Sequence, residues 1–187
     1  MSNAYHHGDL RRALIDAAVE ALAETGPSAL SLRAVAKRAG VSHAAPAHHF
    51  GDKAGLLTAV AAEGYDRFAD ALEQAGQAGD FVEVGVAYVR FAVDNRPYFE
   101  IMFRPELLHE DDPELARAES RSRQILLSGA ADLSGGEPSL SPQAMAAWSV
   151  VHGFAVLLLG GNLPPSVVGD PEPMARKIAA RIRFDPE

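Results

Sequence analysis

The chain has 187 residues, a net charge of −8 and no cysteine, and 48% of its residues are apolar. This apolar share supports a packed core and argues against general disorder. The absence of cysteine excludes disulfides, thiolate zinc sites and cysteine nucleophiles, and it fits a reducing cytoplasm, which is the expected location. No basic stretch followed by an apolar run begins the sequence, so we expect no signal peptide.

Positive charge is concentrated near the start of the chain. Residues 1–54 contain six Lys or Arg against five Asp or Glu, whereas the remainder is strongly acidic. Five of the seven histidines also precede residue 54. The first third is therefore the part that approaches a polyanion at low electrostatic cost, and the rest would be repelled.

Four helices are predicted in this first third from the spacing of apolar residues and from their caps. Short side chains with an oxygen (Asp9, Ser31 and Ser42) are expected to cap the first three, because they accept hydrogen bonds from unpaired backbone N–H groups. The expected extents are Asp9 to about Thr25, Ser31 to Gly40, Ser42 to Gly51, and Lys53 towards Gln74.

The remaining sequence also favours helices. Residues 80–95 are rich in valine, but they are long for a strand, so a helix is the better interpretation. Prolines mark later helix starts, since the missing N–H does no harm there: Pro97, Pro113 (a helix to about Leu127), Pro142, and Pro171 with Pro173 (a helix over Met174 to Arg183). The apolar run 144–160 is short for a bilayer span, so we expect a buried helix and no membrane partner.

The second and third helices, joined by AGVS, form a helix-turn-helix pattern whose second helix enters a DNA groove. Small residues there allow close approach and contact with a thymine methyl group, and a histidine can bond a base edge. The residues expected to face bases are His43, Ala44 and Ala45, and those expected to hold phosphates are His48, His49 and Lys53. The same pattern also joins helices in inert bundles, so both interpretations stay open on the pattern alone.

Residues 5–60, YHHGDLRRALIDAAVEALAETGPSALSLRAVAKRAGVSHAAPAHHFGDKAGLLTAV, resemble the N-terminal domain of TetR/AcrR-type transcriptional regulators. AWSVVHG at 147–153 resembles the Trp-x-x-x-His-Gly signature of one C-terminal domain class in that family. The resemblance implies an all-α fold, with a three-helix helix-turn-helix domain over 1–54 and a helical effector-binding and dimerisation domain over 55–187. It implies a ligand-responsive repressor that binds a (pseudo)palindromic double-stranded DNA operator as a homodimer.

The resemblance also assigns roles by motif position. Ser31 and Arg33 would contact the DNA backbone, and Ser42 joins the DNA-binding set as the expected cap of the reading helix. The family often has an aromatic residue, usually tyrosine, where this chain has Ala47. That departure puts one phosphate contact in doubt, and His48 is a candidate to replace it.

Aromatic residues cluster in the middle third and are expected to line a site for a small, lipophilic effector. They are Tyr88, Phe91, Tyr98, Phe99 and Phe103, with Trp148 and His152, one helical turn apart, as further candidates. The alternative is that aromatic residues at helical spacing simply form core. For His152 the choice between pocket wall and core packing stays open. The two C-terminal helices are the predicted dimer seam.

Other function classes receive less support from the sequence. No nucleophile elbow, glycine-rich phosphate loop or spaced metal-ligand set occurs, so we expect no enzyme, no metal and no cofactor. Adjacent histidines, as in His6–His7 and His48–His49, point about 100° apart on a helix and do not easily share an ion. A helical small-molecule-binding protein without DNA binding is the remaining alternative.

Overall fold

Helices account for all the regular structure in the part of the chain that the computed structural model describes, residues 3–77, 80–134 and 141–182. The helices are α1 (Asn3–Ala29), α2 (Leu32–Arg38), α3 (Ala45–Phe50), α4 (Lys53–Gly76), α5 (Phe81–Asp94), α6 (Arg96–Met102), α7 (Pro113–Ser134), α8 (Pro142–Leu159), α9 (Pro165–Val168) and α10 (Glu172–Ala179). A 3-10 turn, Pro105–Leu107, lies between α6 and α7. The predicted all-α class is confirmed, and no strand occurs in these ranges.

Two compact units share these helices. The head unit comprises the chain up to Gly64 together with residues 97–117, and the body unit comprises residues 65–96 and the chain from residue 118 onwards. Helices α4 and α7 contribute residues to both units. The predicted division after residue 54 concerns function, and it stays a prediction.

Apolar faces on the first three helices build the core of the head unit. Leu14 and Ala18 of α1 are fully buried, as are Val35 and Ala36 of α2. Helix α2 packs against both α1 and α3. Each short helix is therefore fixed by its neighbours, since six or seven residues do not hold a helix by themselves.

The caps explain why most helices begin where the sequence predicts. Ser31 Oγ accepts the Ala34 N–H at 3.2 Å, which confirms the predicted cap of α2. Asp52 Oδ1 accepts the Gly55 N–H at 2.8 Å and begins α4 in the same way. The predicted helix over 80–95 is confirmed as α5. Its cap is Asp80, whose carboxylate accepts the Val82 N–H at 2.9 Å.

Besides the start of α3, described below, three predicted boundaries are wrong. Helix α1 begins at Asn3, so Asp9 lies inside it and is not its cap. Helix α7 continues to Ser134, because no glycine-proline break follows Leu127 before that point. Helix α10 begins at Glu172 and ends at Ala179, and the predicted end at Arg183 lies outside the described residues.

Helices α5, α8 and α10 pack against one another in the body unit. Their shared core contains Val86, Val89, Phe154, Leu158 and Ala175. Helix α8 is the one helix in the described ranges that is long and apolar enough to cross a membrane, by length and composition only, and a single helix of this kind is weak evidence for a span. The prediction that this helix is buried is confirmed for one of its faces only. The opposite face, which carries Val150, Val156 and Leu157, is exposed.

Gly85 lets α5 and α10 approach closely. A Cβ atom added there would lie 2.9 Å from the Cβ of Ala179 and 3.5 Å from Cγ1 of Val151. The methyl group of Ala179 is fixed to its backbone and cannot rotate away. We expect Gly85→Ala to lower the free energy of unfolding by about 1–3 kcal/mol through overpacking, as measured by urea denaturation.

The matched control is Gly76→Ala at the end of α4, where the added atom meets Val84 at an ordinary 3.8 Å. There the substitution is expected to be neutral or to stabilise the helix by up to about 1 kcal/mol. Equal losses in the two variants would contradict the close approach at Gly85.

Candidate nucleic-acid interface and aromatic network

Pro46 sets the start of the third helix. The predicted cap, Ser42, is wrong, because α3 begins at Ala45 and follows Ala44, with Pro46 in its first turn. A helix capped at Ser42 would need an N–H at position 46 to bond the Ser42 carbonyl, and proline lacks it and clashes with that carbonyl. Instead Ala45 N–H donates to the Ser42 carbonyl at 3.1 Å. His43 and Ala44 therefore lie in a turn ahead of the helix.

The predicted reading edge faces outward from the head unit. Ser42, His43, Ala44 and His48 are exposed, whereas Pro46 is buried on the opposite side and fixes the helix to the core. Ala45 and His49 are half-buried. Gly40 and Gly51, at the two ends of this segment, have φ values of 69° and 77°, a region that glycine adopts without strain. The edge is thus accessible to a ligand as large as DNA, and its contacts stay predictions.

Three cationic side chains belong to α2 and α4, the helices that precede and follow this segment. Arg33 and Lys37 are exposed one turn apart on α2, and no ion pair involves either among the described residues. Lys53, at the first position of α4, has its Nζ 3.4 Å from the Ser28 carbonyl oxygen. Ser31 accepts a hydrogen bond as the cap of α2, which leaves its hydroxyl hydrogen available to donate.

Other arginines of the head unit are engaged in ion pairs. Arg38 pairs with Glu20 at 3.3 Å and with Glu24, and hydrogen bonds to these carboxylates, that of Glu24 first, raise its pKa. Arg12 pairs with Asp16 at 2.9 Å and with Glu63 at 3.0 Å. These charges join α1 to α2 and to α4. Within residues 1–54, the positive charge that remains for a polyanion is concentrated on α2 and at the start of α4.

The two histidines of α3 are neighbours. The His48 and His49 rings have centroids 5.6 Å apart and an interplanar angle of 76°. No group of three or more potential ligands occurs among the described residues. The side chains of His6 and His7 lie outside the described part of the structure.

A polar network links three aromatic residues of the body unit. The Trp148 indole N–H donates to Tyr88 Oη at 3.1 Å, and Tyr88 Oη lies 2.8 Å from His152 Nδ1. Because indole can only donate, the Tyr88 hydroxyl accepts from Trp148, whereas the direction of its bond with His152 depends on the imidazole tautomer. Where the hydroxyl donates, His152 Nδ1 is the acceptor and the proton of the neutral imidazole lies on Nε2.

Burial keeps this network uncharged. Tyr88 is fully buried, and desolvation raises its pKa, so its hydroxyl stays a donor. His152 is half-buried, and desolvation lowers its pKa from 6.5, which favours the neutral imidazole. The network therefore places no charge in its apolar surrounding.

The predicted aromatic wall is divided between the two units. In the body unit, Tyr88 and Phe91 contact Phe68, with ring centroids 4.9 and 5.0 Å away. Phe99 and Phe103 belong to the head unit, where they contact each other at 5.0 Å. Tyr98 is also there, and its hydroxyl donates to Glu63 at 2.9 Å. The structure thus joins Tyr88, Trp148 and His152, and ligand contact by any of the aromatic residues stays a prediction.

Two family models match this chain. One, described as bacterial regulatory proteins of the tetR family, matches residues 14–60, which include all of α2 and α3. The other, described as the tetracyclin repressor-like C-terminal domain, matches residues 81–182, from α5 to the end of the described chain. The chain belongs to the TetR family of regulators. Its assignment to the Trp-x-x-x-His-Gly class stays a prediction.

Similar proteins agree with this TetR assignment. The HTH-type transcriptional regulator BetI of Burkholderia thailandensis is 48% identical over 53 residues, which span 28% of this chain and 27% of that protein. A solved protein of unknown function from Rhodococcus sp. RHA1 is 32% identical, with a TM-score of 0.72 over 92% of this chain and 96% of that one. The multidrug binding protein EbrR, solved with imidazole, shares the fold at 21% identity, with a TM-score of 0.66 over 95% of this chain and 96% of that one.

Sequence reasoning missed one candidate for phosphate contact, Lys37. Its position four residues after Arg33 was the available signal, because residues at this spacing share one face of a helix. What the sequence did not reveal is that Arg38, the next residue, is occupied by Glu20 and Glu24. The pairing leaves Lys37, and not Arg38, as the candidate for a phosphate contact.

The pKa of His152 has a consequence for stability. Because burial lowers it in the folded regulator, the unfolded chain binds more protons near pH 6. This contribution to the free energy of unfolding is fully present above pH 6.5, the ordinary value, and is lost as the pH falls below it towards the folded-state value. His152→Asn keeps an acceptor near Tyr88 but does not titrate.

We expect the free energy of unfolding, from urea denaturation between about pH 5 and about pH 7.5, to fall less steeply in His152→Asn than in the wild type. The difference between the two proteins removes the contribution of the other histidines. Parallel pH profiles would show that His152 gains its proton equally in both states.

Proposed function

We propose that the chain is a cytoplasmic, ligand-responsive repressor that binds a (pseudo)palindromic operator as a homodimer. The observation that carries the proposal is the outward-facing edge of Ser42, His43, Ala44 and His48, held by the buried Pro46. A surface of small residues and histidines at the start of a helix fits the major groove, where side chains read base edges. The proposal assigns no catalytic step and no cofactor.

The positions of the cations support binding to DNA through the edge of α3. Ser31, Arg33 and Lys37 of α2 would contact one stretch of the phosphate backbone, and Lys53 would contact another. His48 and His49 would donate to phosphates between them.

Ala44 and Ala45 would lie against the bases, because they are the two small residues that permit close approach. Residues 1–54 contain six Lys or Arg against five Asp or Glu, whereas the rest of the chain is acidic and would be repelled by DNA, which favours binding through the first three helices.

The exposed face of α8 supports a homodimer. Ala146, Val150, Gly153 and Leu157 follow one another at helical spacing on this face, and all but the half-buried Gly153 are exposed. Gly153 has nothing within 4 Å of an added Cβ, so its surface is open in one protomer. Small residues let two helices approach closely, and the flanking apolar side chains would then leave water. Met174 of α10 and Val168 of α9 are also exposed and would extend the seam.

The network in the body unit supports a small effector. Tyr88, Trp148 and His152 provide hydrogen-bonding groups beside the buried aromatic residue Phe91. Phe99 and Phe103 stay proposed ligand contacts on the basis of the sequence. EbrR, which shares this fold, is a multidrug binding protein, and a similar lipophilic effector is proposed here. By favouring one arrangement of the dimer, it would shift the population of DNA-competent molecules.

Selection of bound fragments from random DNA, with and without lipophilic candidate ligands, tests the whole proposal. A repressor dimer is expected to enrich two related half-sites about 34–36 Å apart, which is one turn of DNA. Enrichment of no sequence, with retained ligand binding, would favour a helical small-molecule-binding protein instead.

Two head variants separate phosphate contact from base reading. Lys53→Ala is expected to weaken binding similarly on all DNA sequences and to lower the slope of log K against log salt by about 1. His43→Ala is expected to change the preferred base at one position by about 1–3 kcal/mol. Both are measured by fluorescence anisotropy over a salt series, on the selected operator and on single-base variants.

The control is Arg123→Ala, which removes the same charge from α7 in the body unit and should leave the salt slope unchanged. A Lys53→Ala protein with the wild-type slope would remove Lys53 from the interface. An unaltered base preference in His43→Ala would do the same for His43.

The dimer seam is tested with Leu157→Glu. Burial of a leucine contributes about 1.5–3 kcal/mol, and symmetry places the change twice in the interface. We therefore expect the dimer dissociation constant to rise by at least about 100-fold, as measured by sedimentation equilibrium.

Val93→Glu is the matched control, since Val93 is an exposed apolar residue of α5 (39% exposed, against 47% for Leu157) that is not on the α8 face. It should remain a dimer. Dissociation of both variants, or of neither, would place the seam elsewhere.

A further inference from the structure

The loop between α6 and α7 is attached to the start of α4 in the head unit. His109 donates its backbone N–H to Thr58 Oγ1 at 2.9 Å, and the Thr58 hydroxyl in turn donates to the Ala54 carbonyl at 2.8 Å. Thr58 is buried. This anchor uses the backbone of His109, so it does not depend on which side chain that residue carries.

The His109 side chain makes a second contact that does depend on its identity. Its Nε2 lies 3.0 Å from Asp52 Oδ1, the same oxygen that accepts the Gly55 N–H and caps α4. The cap and His109 both lower the pKa of Asp52, the cap being the larger cause. Asp52 is thus a carboxylate beside Lys53, the proposed phosphate contact.

An unpaired carboxylate at this position opposes DNA binding, because it lies next to the path of the phosphates. An imidazolium on His109 would offset that charge, whereas a neutral imidazole would not. Histidine is the residue type whose charge ordinarily changes between about pH 5 and about pH 8. The approach of a polyanion favours the protonated form, so binding at such a pair takes up protons.

We propose that His109 is a positioning residue for DNA binding, whose imidazolium neutralises Asp52 beside Lys53 when the head unit meets the phosphate backbone. The inference rests on the proposed DNA-binding function. It gives a role to the HEDDPE segment, which the sequence alone presents only as an acidic surface loop.

The other charges near His109 belong to the start of α4, the loop itself, α7 and α1. The start of α4 contributes Asp52 and Lys53. The loop contributes acidic residues: Glu106, Glu110, Asp111 and Asp112. Asp112 caps α7 by accepting the Glu114 and Leu115 N–H groups at 2.9 Å, and Glu114 pairs with Arg11 of α1 at 3.3 Å. Among these acidic groups, Asp52 bonds to the His109 side chain, and it precedes Lys53, the proposed phosphate contact.

The pair is exposed, with side chains 48% and 62% accessible, so the expected effect is small. We expect wild-type operator affinity to increase on going from about pH 8 to about pH 6 by about three-fold more than that of His109→Gln. The subtraction removes the contribution of the other histidines, those of α3 included. Anisotropy titrations at constant ionic strength give the affinities, and calorimetry in two buffers of different ionisation enthalpy counts the protons taken up.

Three further variants define the mechanism. His109→Lys keeps a permanent positive charge and should bind tightly at both pH values. Asp52→Asn keeps an oxygen for the cap of α4 without the charge, and it should remove the difference between wild type and His109→Gln. Thr58→Val removes the loop anchor without changing charge, and it should lower stability while leaving the number of protons taken up unchanged.

The outcomes separate this inference from the function on which it rests. A wild-type protein that binds no operator at either pH overturns the proposed function and this inference with it. A wild-type protein that binds operator with the same pH dependence and proton uptake as His109→Gln overturns the inference alone. A changed proton count in Thr58→Val would also overturn it, since the linkage would then follow loop order and not the imidazole charge.

Discussion

A buried proline constrains the surface on which the function of this TetR-family chain depends. Pro46 cannot donate a backbone hydrogen bond and excludes the carbonyl four residues before it, so α3 cannot start at Ser42. The helix begins at Ala45 instead, and Pro46 packs in the core of the head unit. His43 and Ala44 are thereby left in an exposed turn. Proline disfavours helix interiors, and for that reason Pro46 determines where α3 begins.

The distribution of charge explains how an acidic protein can present a DNA-binding surface. Arg12 and Arg38 are held by carboxylates of the head unit and serve to join its helices. Arg33 and Lys37, four residues apart on α2, remain exposed. A few cations placed on one face, together with backbone donors and histidines, give a local positive potential despite the net charge of the whole chain. Location, and not the total, decides where a polyanion binds.

The helices could be predicted because apolar spacing, caps and prolines are local signals, as at Ser31 and in the valine-rich α5. Ser42 was misjudged because two local rules conflicted, and the proline rule prevailed over the serine cap. Partners distant in sequence could not be predicted. The bond between Tyr88 and His152 spans 64 residues, and the bond between Asp52 and His109 spans 57. Nothing in the sequence near either residue identifies its partner, because packing alone brings them together.

Helix α8 has three faces with different surroundings. One face forms the core with α5 and α10, the opposite face is apolar and exposed, and Trp148 and His152 lie on the flank between them. A helix of 18 residues moves largely as a rigid body, so a ligand that displaces the flank must also reorient the exposed face. In a symmetric dimer built on that face, both copies of α8 would shift together. The adjacency of the network to the proposed seam would therefore give the proposed effector a direct physical route to the geometry of the proposed dimer, without a chain of intermediate contacts.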